Sequence, residues 1–468
     1  MEATKRKFCI KALNLNQSGY GIDGKLTRQE WQAECVRMLL TGAGSFNQWQ
    51  LALQKISASN PKSNSGSFEW ELSYADNSKP SEKFGWSDTP SFFVVDVTNH
   101  VFEETLFLSG YVFLTGALFN GATFNKMVSF DNATFEQDAY FIAAKFNDSA
   151  IFSEAIFKHG AVFDKAGFYH IASFNYSKFE AVASFKCVEF QFEAHFQGTT
   201  FNFASFDGVL FSKKVDFSGN SFYNENKLQT FGRISFSGTH FREQADFSNR
   251  EFKGSTSFEE FKGQPTQFDV VPLFHNCELH QDTTFIEAIF PLPSKTDKSA
   301  ARAYNTLRHA MNQQQSTREE QRFLKLELDA ERLMAKDGVR QLYWIYKQIA
   351  DYGFSVWRPA LLLLTLPILC FGMFYGSLTS LNHCTSLLSH RCQFDVGLII
   401  QTVEFTLLQS LPPLGLDKMS DPLREELFQI KHPISSFVLV TLVVIQKILA
   451  LFGWFFVALA LRNIFKMK

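Results

Sequence analysis

The sequence predicts a mainly β fold, in which a solenoid is followed by a helical hairpin and a two-helix transmembrane domain with a candidate re-entrant hairpin. Three observations support this prediction. Phenylalanine recurs every five or six residues through the middle of the chain, the residues after this repeat are mostly helix formers, and two segments near the C-terminus are almost purely apolar. The pattern indicates a membrane protein with a large water-exposed part.

Charge and phenylalanine are unevenly distributed along the 468 residues. The net charge is only −2, but residues 101–292 carry 14 basic and 23 acidic groups and contain 36 of the 54 Phe. This composition excludes a disordered chain, a collagen and a disulfide-dense miniprotein. We predict four regions: a flanking, capping region at 1–100, the repeat at 101–292, a juxtamembrane helical region at 293–358 and a transmembrane domain at 359–468.

The phenylalanines of the repeat alternate spacings of five and six residues, and a small residue, most often Ala, precedes each Phe by two positions. This period fits neither a helix nor a strand, so we predict a chain that turns a corner after every unit and keeps its Phe inside. Four sides give a coil of roughly 22 residues, and stacked coils place the rings in continuous columns. The predicted core consists of Phe119, Phe124, Phe130, Phe135, Phe141, Phe146, Phe152, Phe157, Phe163, Phe168, Phe174, Phe179, Phe185, Phe190, Phe196 and Phe201.

Units such as Ala-Thr-Phe at 122–124 and Ala-Tyr-Phe at 139–141 resemble the pentapeptide-repeat family, whose unit has a small residue two positions before a central Leu or Phe. The resemblance implies a right-handed quadrilateral β-helix. The extra residue in every second unit departs from the strict five-residue rule and predicts one bulged corner per pair of units.

Two features interrupt the regular pattern. Residues 223–230 separate two runs of the repeat and predict a loop, which is either a surface insertion or a recognition loop. Phe192 and Phe203 lie outside the main register. They are either packed bulge residues or part of an outward contact surface.

The flanking regions are predicted to cap the solenoid. An amphipathic helix is expected around 28–40, and helices are expected at 300–311, 316–336 and 339–350, the second opened by a capping box. Trp357 and Arg358 before the first span, and Arg462 after the second, are predicted interfacial anchors. Residues 304–308 and 352–359 also look like the tail module of membrane-attached members of the same family.

The apolar segments 360–378 and 437–461 are each long enough to cross a bilayer. Basic residues before the first and after the second predict, by the positive-inside rule, that both ends lie in the cytosol. We therefore expect a multi-pass protein of the cell (inner) membrane, with a cytoplasmic solenoid and C-terminus and with residues 381–432 outside.

Between the spans, the apolar segment 396–408 is too short to cross and is followed by a Pro/Gly turn. This layout resembles that of two-helix pore-loop channels, although the potassium filter motif is absent; the alternative is an amphipathic helix on the outer surface. Glu404 is predicted to pair with Lys447, within or between subunits. The alternatives are that Lys447 snorkels to the interface or that the second span starts later. The candidate pore or hairpin residues are Glu404, Gln409, Pro412, Pro413, Gly415, Gln446 and Lys447.

Cys384 and Cys392 could close a disulfide if the segment between the spans is extracytoplasmic. A zinc site from these thiols with His383 and His390 is the less favoured alternative. No cofactor is predicted.

Catalytic motifs are absent from the sequence: it has no phosphate-binding glycine loop and no nucleophile elbow. We therefore expect a non-enzymatic membrane-anchored protein whose solenoid binds an unidentified cytosolic protein, in contact with the lipid bilayer. The alternative is a homo-oligomeric channel that uses the solenoid as sensor or assembly domain. Nucleic acid is a disfavoured partner, because lysines are interspersed along the acidic repeat and the chain is tethered.

Overall fold

The computed structural model describes residues 28–59, 94–219, 229–294, 299–375, 396–411, 421–427 and 433–466. The chain divides into two compact units, Met1–Phe323 and Leu324–Lys468. The first contains the repeat and the second consists of helices, and each is described by itself below.

The repeat forms short parallel strands, which stack into four sides. The first side contains Val95–Asp96, Ala117–Leu118, Ala139–Tyr140, Ala161–Val162 and Thr256–Ser257. The second contains Val101–Phe102, Thr123–Phe124, Lys145–Phe146, Gly167–Phe168, Glu189–Phe190, Leu210–Phe211, His240–Phe241 and Gln267–Phe268. The third contains Leu106–Phe107, Val128–Ser129, Ala150–Ile151, Ala172–Ser173, Ala194–His195, Val215–Asp216 and Ala245–Asp246. The fourth contains Val112–Phe113, Thr134–Phe135, Ile156–Phe157 and Arg250–Phe252. Three longer strands join the fourth side to the first, namely Lys178–Ser184, Thr200–Ser205 and Gln229–Ser235.

The pairing of strands confirms the predicted coil length. Ala117 pairs with Ala139, and Ala139 pairs with Ala161. One position before this last pair, the Gly160 N–H donates to the carboxylate of Asp138. The two residues are 22 positions apart in the chain. All of the strand pairings are parallel, as expected when a chain returns to the same side after each circuit. The β-solenoid followed by helices is thus confirmed.

Two kinds of corner alternate and account for the five- and six-residue spacings. Each five-residue spacing contains a turn with one left-handed residue, for example Ala143 (φ 55°) and Glu154 (φ 56°), eleven positions apart. The N–H of Ala144 donates to the carbonyl of Phe141 (3.1 Å) and closes such a turn. The corners with six-residue spacing between these turns are wider bends that do not need this conformation. The extra residue of every second unit thus lies at the six-residue corners, and the bulge predicted there stays a prediction.

The interior of the solenoid is formed by columns of phenylalanine. Every Phe of the predicted core is buried. The ring of Phe163 stacks on that of Phe141, one coil away, at 4.7 Å and 2°. It meets Phe152 of the neighbouring column edge-on, at 5.5 Å and 89°. Both geometries are favourable for aromatic quadrupoles, so that the repeat supplies specific ring contacts in addition to apolar burial.

The later coils are longer than the regular ones. Leu210 pairs with His240 because the predicted loop enlarges this coil, and residues 223–228 of that loop lie outside the described residues. His240 then pairs with Gln267, so that the following coil is also enlarged. The sequence analysis did not predict this second insertion, in which Phe261 and Gln264 exchange backbone hydrogen bonds of 2.8 and 3.0 Å.

Helices α1 (Arg28–Leu39) and α2 (Ala43–Ser59) contact the first coil, and α2 was not predicted. The indole of Trp31 donates to the carbonyl of Val94 (2.8 Å), and Asn47 accepts a hydrogen bond from the N–H of Val112 (2.8 Å). These contacts satisfy strand groups that the end of a solenoid leaves unpaired.

At the other end, α3 (Ala300–Gln313) and the first part of α4 (Thr317–Met334) cover the last coil. The Tyr304 hydroxyl donates to the carbonyl of Pro291 (2.6 Å), and the Phe323 ring lies 5.1 Å from that of Phe290. The last Phe rings are thereby shielded from water.

The second unit contains α5 (Asp337–Ala350), α6 (Trp357–Pro367), α7 (Val396–Gln409), α8 (Asp421–Leu427) and α9 (Pro433–Lys466). Within the described residues, one segment, Phe437–Asn463 of α9, is long and apolar enough to cross a membrane. The predicted two-span domain is not confirmed. In the predicted first span, α6 is followed by a π-helical turn, Ile368–Gly372. Pro367 lacks a backbone N–H, which favours such irregularity.

Helices α6 and α9 pack closely at Gly453. A Cβ atom at this position would lie 2.5 Å from the Cδ2 atom of Leu363, closer than real contacts allow. Leu363 forms a buried cluster with Ala450 and Val457 of α9. The absence of a side chain at Gly453 therefore permits the close approach of the two helices.

Candidate interaction surface and membrane-side polar site

An apolar column faces outward where the fourth side of the solenoid meets the first. Val182 pairs with Phe203, and Phe203 pairs with Arg233 in the next coil. Val182 is 48% exposed and Phe203 is 39% exposed. The guanidinium of Arg233 lies 5.8 Å from the centre of the Phe203 ring. We call Val182, Phe203 and Arg233 the outer column.

The outer column exists because a corner has been straightened. Between Phe179 and Val182 the ladder contains a bulge, after which Ala183 pairs with Ala204 and the coil is one residue shorter than the regular ones. The corner between these sides becomes a continuous strand, whose alternate side chains point outward. This explains why Phe203 falls outside the regular phenylalanine register.

Phe192 is a second outward aromatic residue. Its ring is parallel to that of His170, with centroids 5.1 Å apart, and the Nδ1 atom of His170 lies 2.8 Å from the Ser149 hydroxyl. Phe192 and Phe203 are both exposed. These two side chains are therefore not fully packed, and the contact surface stays a prediction.

Arg250 is fully buried in the solenoid, at a position where the repeat has a small residue. The guanidinium donates four hydrogen bonds to carbonyl oxygens. The acceptors are Phe217 (2.6 Å), Thr199 (2.6 Å), Phe196 (3.0 Å) and Ser218 (3.0 Å). Its Cζ atom lies 4.2 Å from the centre of the Phe231 ring. Burial lowers the pKa of Arg250 to about 9, which leaves the group charged at neutral pH.

The place of Arg250 in the fold explains its role. Ser218 and Phe231 lie on either side of the inserted loop, within the enlarged coil. At the inserted loop the chain leaves the regular ladder of backbone hydrogen bonds. The guanidinium, which comes from the next coil, donates hydrogen bonds to backbone carbonyl groups there. Sequence reasoning missed this residue, although an arginine two positions before Phe252, in place of Ala, was a readable signal.

A buried polar network joins the helices of the second unit. The Gln446 amide of α9 donates to the Thr406 carbonyl (2.7 Å) and lies 3.0 Å from the Ser410 hydroxyl. The Tyr375 hydroxyl donates to the Gln446 Oε1 atom (2.9 Å), and the Trp454 indole donates to the Ser410 carbonyl (3.1 Å). The network thus ties α7 to α9 and to the end of the first apolar segment.

Four of the predicted hairpin residues lie in the described part of the chain. Gln446 and Gln409 are buried, Lys447 is half-buried and Glu404 is exposed. Gln446 and Trp454 donate hydrogen bonds from α9 to Thr406 and Ser410. The Glu404–Lys447 pair stays a prediction.

Several predicted residues lie outside the described part of the chain. They are Pro412, Pro413, Gly415, His383, Cys384, His390 and Cys392. The re-entrant turn, the disulfide and the zinc alternative therefore stay predictions. Of the predicted interfacial anchors, Trp357, Arg358 and Arg462 are all exposed.

A buried carboxylate joins the helices next to the apolar segments. Asp329 of α4 accepts hydrogen bonds from Lys347 of α5 (2.7 and 2.8 Å) and from the Tyr352 hydroxyl (2.9 Å). Tyr352 lies in a turn whose residues Asp351, Tyr352 and Gly353 all have positive φ. The Asn463 amide of α9 donates to the Gly353 carbonyl (2.9 Å), so that this turn is fixed beside the end of α9.

Comparison with known proteins supports the fold derived above. The family described as pentapeptide repeats (9 copies) matches residues 119–167, within the regular coils. Neither the curated proteins nor the solved structures contain a match. The chain therefore contains a pentapeptide-repeat β-solenoid, a fold that generally serves structural and binding roles rather than catalysis.

Proposed function

We propose that this is a non-enzymatic, membrane-anchored pentapeptide-repeat protein, which uses the outer column of its solenoid to bind a cytosolic protein. The observation that carries this proposal is the outward orientation of Phe203 and Val182 on paired strands. Aromatic residues and arginine are enriched at binding hot spots, and the column combines both.

The rigidity of the scaffold supports a binding role. Val182, Phe203 and Arg233 lie on directly paired strand positions, and stacked Phe rings lie in the interior of the same strands. A partner would meet a preformed surface, so that little conformational entropy would be lost on binding.

The length of α9 supports membrane anchoring. Its apolar segment Phe437–Asn463 has 27 residues, or roughly 40 Å of helix, against about 30 Å of hydrocarbon. Large apolar side chains such as Phe452, which is 61% exposed, cover its surface. Arg462 follows the apolar residues, and Asn463 contacts the turn that precedes Arg358. Basic residues thus cluster near one end, which the positive-inside rule assigns to the cytosol.

A homo-oligomeric channel is the second candidate. The hydrogen bonds from Gln446 to α7 favour it, because a simple anchor does not require a short helix docked on the crossing helix. A single chain provides too few helices to enclose a pore, so that this function requires several copies.

Photocrosslinking in cells tests the binding role. With p-benzoylphenylalanine replacing Phe203 in the full chain, we expect a covalent adduct with one cytosolic protein and loss of that adduct when Val182→Glu is added. The matched control is the same probe at Tyr169, which is exposed elsewhere on the solenoid. Equal adducts from both positions, or none from 203, would contradict the proposal.

Two further measurements test the membrane assignments. Resistance to alkaline carbonate extraction is expected of an integral membrane protein, and release would refute the anchor. The second measurement is ion flux through liposomes that contain the purified chain. If flux occurs and Gln446→Leu abolishes it, the channel would replace the scaffold as the function of the protein. A flux-silent protein would leave the scaffold as the function.

A further inference from the structure

Several large apolar side chains of α5 are exposed, and three positions of the helix form a row along one side. Leu342 is 66% exposed and Ile345 is 43% exposed, whereas Ile349 is half-buried. Residues spaced three or four apart lie on the same face of a helix, so that these side chains form one stripe. We call Leu342, Ile345 and Ile349 the α5 stripe. Exposure of such large apolar side chains in a row requires an explanation.

The protein-facing side of α5 lies elsewhere around the helix. The Tyr343 hydroxyl donates to Glu331 (3.0 Å), and Lys347 donates to Asp329. The Tyr346 ring lies 5.8 Å from that of Phe456 in α9. These side chains fix the rotation of α5 and leave the stripe directed away from α4.

The α5 stripe continues into the apolar surface of the neighbouring helices. Ile349 lines a narrow groove together with Pro359 and Leu362 of α6 and with Phe452 and Phe456 of α9. Phe452 and Phe456 belong to the segment that is long enough to cross a membrane. The C-terminal end of α5 therefore lies beside the later turns of that segment, whereas its N-terminal end begins at Asp337 with polar residues.

The charged groups of α5 are engaged within the protein. Lys347 is held by Asp329, and Arg340 lies 3.3 Å from the Asp337 carboxylate. The exposed polar positions next to the stripe are the uncharged Gln341 and Gln348. A partner of the stripe would thus be recognised by apolar contact rather than by charge.

We propose that α5 lies in the plane of the membrane surface, with Leu342, Ile345 and Ile349 inserted at the boundary between the headgroups and acyl chains of a phospholipid bilayer. This inference rests on the proposed membrane anchoring through α9. An amphipathic helix whose apolar stripe adjoins a crossing helix fits this environment. The continuity favours lipid over a second protein, because the same bilayer that covers Phe452 also reaches the stripe.

Photocrosslinking of the full chain in phosphatidylcholine liposomes tests this inference. The probe p-benzoylphenylalanine replaces Leu342 or Ile345 in two variants and Gln341 or Gln348 in two matched controls, and it replaces Phe452 in a fifth variant. After irradiation, we expect the mass of one added phospholipid in the variants with the probe at 342, 345 or 452. We expect no added phospholipid in the variants with the probe at 341 or 348.

The variants separate failure of the inference from failure of the anchor. A lipid adduct at 452 without one at 342 and 345 would overturn the α5 assignment alone. The absence of adducts at all three positions would overturn the anchor and the inference together. A chain-to-chain adduct at 342 would assign the stripe to a second copy and overturn the lipid assignment. Equal lipid adducts at 341 and 342 would likewise overturn it, because the stripe would have no preferred orientation.

Discussion

The two units of the chain satisfy their buried polar groups in opposite ways. In the solenoid, backbone groups pair with the next coil, as when the Ala139 N–H donates to the Gly160 carbonyl (2.8 Å), and phenylalanine is the most frequent buried residue. In the helical unit, backbone groups pair within each helix, and side chains such as Gln446 and Asp329 connect the helices. The solenoid therefore depends on a repeated residue type, and the helical unit on individual residues.

The largest effect is expected from removing one ring of a column. Phe163→Ala should destabilise the solenoid by about 3–5 kcal/mol, because burial and ring contacts are lost and a cavity remains. Phe192→Ala is the control and should change stability by less than about 0.5 kcal/mol, because that ring is exposed. Urea unfolding followed by circular dichroism measures both. Similar midpoints for the two variants would contradict the column as the main source of stability.

Arg250→Met tests whether a single residue also matters in the solenoid. It leaves the carbonyls of Phe196, Thr199, Phe217 and Ser218 without the guanidinium donors, and we expect a loss of about 3 kcal/mol. Arg250→Lys should not restore stability, because an ammonium cannot reproduce the planar donor geometry.

The control for the buried guanidinium is Arg242→Met, at an exposed position of the same solenoid. Its expected effect on the urea midpoint is close to zero. If Arg242→Met and Arg250→Met lowered the midpoint equally, the four carbonyl contacts would not be important for stability.

Gly453→Leu tests the close packing of α6 and α9. The added side chain collides with Leu363, and a loss of about 1–3 kcal/mol is expected. Combining it with Leu363→Ala should recover part of the loss, because space is restored. Thermal unfolding in detergent measures the single and double variants. A double variant no more stable than Gly453→Leu would argue against direct contact.

The smallest effect is expected for the polar network. Gln446→Leu removes the hydrogen bonds to Thr406 and from Tyr375, and we expect a loss of about 1 kcal/mol in the same detergent assay. Lys447→Leu separates this contribution from the predicted Glu404–Lys447 pair. If Lys447→Leu destabilised the protein more than Gln446→Leu, the ion pair would be the stronger link to α7.

Sequence alone predicted the parts that repeat or have a clear period. The alternating spacing located the Phe core, and the apolar segment 396–408 matches helix α7 closely. The insertion around Phe261 was missed because its Phe fits no regular spacing. The contacts of Arg250 and Asp329 join residues that are distant in sequence, and only folding brings their partners together.

The constant circuit of the regular coils has a consequence for how the protein can change in length. Each circuit returns the chain to the same side after the same number of residues, as from Ala117 to Ala139 and from Ala139 to Ala161. Duplicating or deleting one complete circuit would preserve every column and corner and would shift the caps by about 4.8 Å, the spacing of paired strands. Duplicating or deleting half a circuit would instead rotate all later coils by two of the four sides. The length of the regular solenoid can therefore change in fixed steps of one circuit.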